Sequence, residues 1–376
     1  MFADTMKLKL LATVVLFAAP EAHATQSSRL RRKLQTDITT PEAAMKAAAA
    51  EVASISLADK RLAYKFVRLG FHDCIGGCDG CVDLLNVDNK GLDIPIALLD
   101  PIVAKYAIQN VTRADIWALA ALQAAEVGQD VMKFPFEYYG RPTCEMKNPV
   151  CLNATNGVVT CSSTRGPHRV MPSSNFDTRG IVDYFSKTFQ MTPRETVAIM
   201  GAHTFAVYTR TNSGFDSPGG AGGWVKDPGL LNNDYYAVLV GGNETFNGTI
   251  AIMKKTTPTW VKTMVDNQDL SDLPCRHQWQ QKKNKIVMIN ADIALVRNFE
   301  GQISPTGEVA CNFLGSKLTP ACPVAFDTIR YVAMYKNNNT LWLEDFRDVF
   351  TYVLEYPYIT PPCETGVCYI GELATN

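Results

Sequence analysis

Arg68-Leu69-Gly70-Phe71-His72-Asp73, followed at once by Cys74-Ile75-Gly76-Gly77-Cys78-Asp79-Gly80-Cys81, is the stretch on which the reading of this chain turns. Arg68 and His72 stand four residues apart, which on a helix puts them on one face. Two positive charges so placed would repel, so the spacing predicts a neutral imidazole beside a fixed guanidinium. Such a pair is a proton acceptor with a partner for negative charge that develops nearby. A single histidine is more often a half-buried structural residue, and the cluster that follows weighs against that plainer reading. Asp73 and Asp79 among glycines, with carbonyls such as that of Gly77 at hand, predict an oxygen site of the Ca²⁺ type. Cys74, Cys78 and Cys81 also have the spacing of a radical-SAM iron–sulfur motif, and with His72 they form a candidate zinc set.

The chain has five histidines, and a second one keeps unusual company. In Met200-Gly201-Ala202-His203-Thr204 the small residues before His203 predict room for something flat and bulky beside the ring. Asp292 is a lone carboxylate in the apolar run Met288-Ile289-Asn290-Ala291-Asp292-Ile293-Ala294-Leu295. It either caps a helix or accepts the N–H of a metal-bound imidazole.

Around these positions the pattern is helical. Thr40-Pro41-Glu42 is a helix start, with Thr as cap and Pro in the first turn. Further helices are predicted from Leu57 to Asp73, after Asp93, from Thr112, and over about 325–335 and 341–354. Thr192-Pro193-Arg194-Glu195 is a capping box opening a helix that runs to His203. Strand signals are few and short, and loops rich in Gly, Pro and Cys separate the helices. The fold class is all-α with long loops and little β.

Lys+Arg 36 against Asp+Glu 37 gives a net charge of −1 over 376 residues, which leaves no basic field for nucleic acid. An apolar fraction of 47% supports a large core. Lys7 and Lys9, the apolar run Leu10–Ala19 and Ala22-His23-Ala24 have the three parts of a secretory leader, residues 1–24. Residues 25–40 read as a linker or, given Arg29-Leu30-Arg31-Arg32, a propeptide. Export fits the sequons at Asn110, Asn153, Asn243, Asn247 and Asn338, and it predicts that most of the eleven cysteines are paired. Cys311 with Cys322 and Cys363 with Cys368 are plausible local pairs, and the odd number leaves one thiol over, near His72 if it is one of the three clustered there.

The two histidine motifs together resemble the plant-type haem peroxidase superfamily. Arg68, Phe71, His72 and Asp73 are similar to its distal haem motif, and Gly201-Ala202-His203-Thr204 to its proximal one. Asn89-Lys90-Gly91-Leu92 resembles the segment whose Asn holds the distal His. Asp292 falls where the family has the carboxylate behind the proximal His, and Arg169-Val170-Met171-Pro172 resembles the family's Arg-x-x-Pro stretch, which makes Pro172 a haem-pocket residue. Gly223-Trp224, Pro228, Asn233 and Tyr235-Tyr236 resemble the branch of ascorbate and cytochrome c peroxidases, with Trp224 near the proximal His. Phe71, the leader and the cysteines resemble the secreted branches instead.

The resemblance implies a two-lobed haem domain over 41–357, with a distal lobe of about 41–175, a proximal lobe of about 176–357 and a tail over 358–376. It implies haem b held by His203, with His72 as base, Arg68 as charge stabiliser, Asn89 and Asp292 as partners of the two rings, and Trp224 as a candidate radical site. It implies a secreted monomer that reduces H₂O₂ and oxidises a small organic donor in one-electron steps through a ferryl intermediate, with no membrane span. It also implies a distal Ca²⁺ at Asp73, Gly77 and Asp79, although Cys81 stands where a Ser ligand is usual. A proximal cation would use Thr204 and Asp227, with Asn232 a further candidate. Arg61 and Lys65 stand where manganese oxidisers carry Glu, so Mn²⁺ is disfavoured, and the Arg that binds ascorbate in its peroxidases falls at Asn212. The rival readings are an iron–sulfur protein using Cys74, Cys78 and Cys81, and a secreted protein that keeps the fold without turnover.

Overall fold

The computed structural model describes residues 38–144, 149–153, 159–163, 170–217, 222–240, 260–270, 273–281, 286–358 and 368–369. The leader, the linker to residue 37, Arg169, and the side chains of Asn153, Asn243, Asn247, Cys363 and Cys368 lie outside that description.

Helix α1 (Pro41–Ala58) starts where the Thr40 hydroxyl accepts the Ala43 N–H. The predicted second helix is broken from α1 at Asp59, whose extended backbone ends one helix while its carboxylate accepts the Arg61 N–H and caps α2 (Lys60–Cys74). Helices α3 (Asp93–Tyr106) and α4 (Arg113–Gly128) follow, the latter with the Thr112/Asp115 capping box. Helix α2 crosses α4 at Gly70, where an added Cβ would stand 2.4 Å from the Ala121 Cβ. Only a glycine lets the two backbones approach this closely.

Asp115 is fully buried and does more than cap. It takes the N–H groups of Gly140 and Arg141 and the Arg141 guanidinium, which docks the chain after α4 back onto its start. That loop brings Cys144 to Cys81.

The second half begins with α5 (Thr178–Phe189), a helix with a strong apolar face that the sequence reading did not pick out. Then α6 (Pro193–Met200) opens at the predicted Thr192/Glu195 box. It stops before His203 and passes into a tighter 3₁₀ turn, Gly201–Phe205. Here the carbonyls of Val197 and Ala198 are drawn off by the Tyr236 hydroxyl and the Trp342 N–H. A short α7 (Arg210–Ser213), α8 (Asp234–Val240) and a four-residue α9 (Asn290–Ile293) precede α10 (Phe326–Asn337) and α11 (Asn339–Glu355). Helix α11 packs on both α2 and α6, tying the two halves together behind the central cavity. Among the described residues the largest β element is a three-stranded antiparallel sheet, β1 (Trp260–Val265), β2 (Arg276–Gln281) and β3 (Val287–Met288). The fold is all-α apart from such small sheets, and among the described residues no helix is long and apolar enough to cross a membrane.

Candidate active site

One cavity lies between the halves, and both motif histidines line it together with Arg68, Phe71, Pro172 and Trp224. On the distal side, His72 Nδ1 is 2.8 Å from Asn89 Oδ1. The Asn89 amide N–H donates to the Asp83 carbonyl at 2.8 Å, which fixes the Asn89 oxygen toward the ring. His72 therefore carries its proton on Nδ1 and turns a bare Nε2 to the cavity. Burial, and after it the Arg68 charge, pushes the His72 pKa down to about 3, against a small upward pull from Asn89. Arg68 is held by two neutral carbonyls, Lys90 at 2.8 Å and Asp88 at 2.6 Å. Burial lowers its pKa to about 10, so it remains a cation at neutral pH.

The proximal side repeats the geometry with a different partner. His203 Nδ1 is 2.7 Å from Asp292 Oδ1, and a carboxylate only accepts, so the proton again sits on Nδ1. Asp292 is fully buried and takes three further donors: the Tyr235 hydroxyl at 2.8 Å, the Trp224 indole N–H at 2.7 Å and the Ile289 N–H at 2.9 Å. The last of these is a helix-start contact, so both readings of Asp292 hold at once. Trp224 also stacks on His203, with ring centroids 4.3 Å apart at 24°.

Two histidines facing one cavity, each with Nδ1 anchored and Nε2 free, match a known family. The family model described as Peroxidase covers residues 43–298. The chain belongs to the peroxidase family. Similar proteins include one of Candida albicans described as a heme-binding peroxidase, 27% identical over 64% of this chain and 71% of that one. The cytosolic L-ascorbate peroxidase 1 of Oryza sativa is 25% identical over 50% of this chain and 69% of its own. The mitochondrial cytochrome c peroxidase of Aspergillus fumigatus is 23% identical over 71% and 52%. The chain is thus a haem peroxidase, an enzyme that acts on H₂O₂.

The residues of this peroxidase fit the cofactor. The walls are largely apolar, from Phe71, Met171, Phe185 and Ile289, and His203 offers an unprotonated nitrogen. Lys65, Arg68 and Arg276 line the same cavity, cations suited to a group that carries carboxylates, and the Arg276 Nε is a buried donor with no partner among the described residues.

Several predicted positions lie elsewhere than the sequence reading put them. Gly201 is packed under the Tyr236 hydroxyl and Trp342, so the room it makes is for those rings, while Ala202 lines the cavity. Arg61 is exposed and paired with Asp59, so of these two residues Lys65 is the one at the cavity wall. Arg210 turns away into contacts with Asp269 and Asn267, whereas Asn212 does reach the cavity.

Cys74 is bonded to Cys78 and Cys81 to Cys144, which removes the iron–sulfur and zinc readings, since no thiolate remains there to bind metal. Cys311 pairs with Cys322 as predicted, and the free thiol among the described residues is the exposed Cys275, far in sequence from His72.

The Ca²⁺ set does not fit an ion either. Asp73 accepts the N–H groups of Gly80 and Cys81, Asp79 accepts that of Cys81, and the Gly77 carbonyl accepts the Tyr358 hydroxyl. In the second proposed cation set the Thr204 hydroxyl donates to Asn232, and Asp227 accepts its own turn's Gly229 N–H.

Sequence reasoning missed Tyr235 as a partner of Asp292 and Arg276 as a cavity residue. The first had a signal in its motif; the second sits on a strand with none.

Proposed function

We propose that this enzyme is a secreted haem peroxidase in which His72 moves the peroxide proton and His203 holds the iron. The observation that carries the reading is the contrast of anchors, a neutral amide behind His72 and a buried carboxylate behind His203. When bound, haem would supply the two-electron reduction of the peroxide O–O bond. His72 Nε2 accepts the proton of the near oxygen and returns it to the departing one, which leaves as water. Arg68, held only by carbonyls, turns its charge to the oxygen on which negative charge grows. Asn89 keeps the His72 ring in the accepting tautomer. Asp292 orients His203 and makes it more electron-rich.

The donor is an organic reductant, neutral or anionic. Among the described residues the cavity is lined by Lys65, Arg68 and Arg276 against the single carboxylate Asp88, a balance that disfavours a divalent cation such as Mn²⁺. Trp224 is placed to hold one oxidising equivalent, because its N–H bond to Asp292 favours positive charge on the indole. Freeze-quench EPR after peroxide should show a tryptophan signal that Trp224→Phe abolishes. An unchanged signal in that variant would remove Trp224 from the electron path. Export is supported by the leader and by the three disulfides among the described residues, which need an oxidising compartment.

The purified protein should show a Soret band that changes on adding equimolar H₂O₂. No Soret band, or no change, refutes the function.

A further inference from the structure

The loop behind His72 is built around a guanidinium. Residues 74–81 leave α2 directly after His72 and Asp73 and press back on the start of α4. At Gly80, where φ is +71°, an added Cβ would stand 2.9 Å from the Ala114 nitrogen. The Gly80 carbonyl then faces Arg113, whose Nε donates to it at 2.6 Å. Arg113 is half-buried and is the first residue of α4, where the helix dipole disfavours a cation. Burial lowers its pKa, and the charges of Asp73, Asp100 and Asp79 pull in the opposite direction. The face of its guanidinium lies 5.7 Å from the Trp117 ring, and one terminal nitrogen is 3.2 Å from the Cys81 sulfur in the Cys81–Cys144 bridge.

We propose that Arg113 is the resident cation of this loop and takes the place of the Ca²⁺ that the Asp73/Asp79 pattern leads one to expect. Two observations support this independently. Asp73, Asp79 and the Gly77 carbonyl are engaged by N–H and O–H donors of the chain, and the Arg113 guanidinium is bonded to the Gly80 carbonyl of the same loop. A divalent ion would add its charge beside the guanidinium and would compete with the Gly80, Cys81 and Tyr358 contacts for the same oxygens. The structural work of the metal is thereby done by Arg113 together with the Cys74–Cys78 and Cys81–Cys144 bridges, and the helix end that carries His72 is held without a metal.

The test uses the full-length haem-loaded protein, with Ca²⁺ and luminescent Tb³⁺ as probes. Treatment with EDTA should leave the melting temperature, the Soret band and the rate of reaction with peroxide unchanged, and neither ion should bind at this loop. Arg113→Gln removes the charge and leaves the carboxylates in excess. It should melt lower than the wild type and recover in part on adding about millimolar Ca²⁺. Arg113→Lys, which keeps the charge, should show no such Ca²⁺ dependence. Loss of the peroxide reaction or of melting temperature with EDTA in the wild type, restored by Ca²⁺, would overturn the proposal. If Arg113→Gln does not fold, the wild-type titration and Arg113→Lys still decide it.

Discussion

His72 and His203 are the same side chain held in nearly the same way, and the proposed function gives them opposite tasks. Each is anchored through Nδ1 at 2.7–2.8 Å, and each presents Nε2 to one shared cavity. The difference lies one atom further out. Behind His72 is an amide, itself fixed by the Asp83 carbonyl, with the Arg68 cation alongside. Behind His203 is a carboxylate that also gathers Tyr235, Trp224 and a backbone N–H. A neutral anchor beside a cation leaves a base that stays unprotonated until it is needed. An anionic anchor makes a stronger ligand. The chemistry of an imidazole is thus set by the charge of its partner as much as by its own place in the cavity.

The comparison can be broken from either side. His72→Leu removes the distal base while leaving His203 and the haem site intact. The variant should retain its Soret band and react with peroxide about 10²–10⁴-fold more slowly in stopped flow. Full reactivity in that variant would refute the assignment. Asp292→Asn turns the proximal anchor into a copy of the distal one. It should weaken haem-iron ligation or activity by about 10–100-fold and raise the Fe(III)/Fe(II) potential, read by haem titration and spectroelectrochemistry. An unchanged potential would show that the carboxylate does not tune the ligand. Asn89→Asp performs the reverse exchange and should have the smallest effect at alkaline pH. By stabilising imidazolium it should raise the His72 pKa, so that peroxide reactivity acquires an acid limb nearer neutrality. A pH profile identical to the wild type would count against this role for Asn89.

How far all this was legible before any coordinates depended on how local each signal is. Arg68 and His72 lie four apart on one helix and their spacing carries their relation, whereas Asn89, 17 residues beyond His72, was legible only through the family resemblance of its segment. Local spacing likewise carries the Thr192/Glu195 box and Thr40 as a cap. Asp292 was legible as a polar residue out of place in an apolar run, but three of its four donors, His203, Trp224 and Tyr235, come from elsewhere in the chain and only packing assembles them. Asp59 was missed as a break because one Asp in an apolar-periodic stretch reads equally as a surface position. Under the Arg113 proposal the Ca²⁺ pattern misleads for a related reason. Asp73, Gly77 and Asp79 announce a ligand set locally, whereas Arg113, Tyr358 and Cys144, which engage that loop, come from 32 or more residues further along the chain. The cysteine spacing failed in the same way, since the partner of Cys81 closes a loop of 63 residues.

The central claim is that His72 is a base kept neutral by burial and by Arg68. Its pKa in the folded protein is depressed to about 3, so the accepting form persists well below the pH at which an ordinary histidine titrates, about 6.5. The most direct test is the stopped-flow rate of the haem-loaded enzyme with H₂O₂ as a function of pH. The account predicts a rate that stays level as pH falls through the ordinary histidine range and declines only well below it. A rate that halves at the ordinary histidine pKa would contradict it.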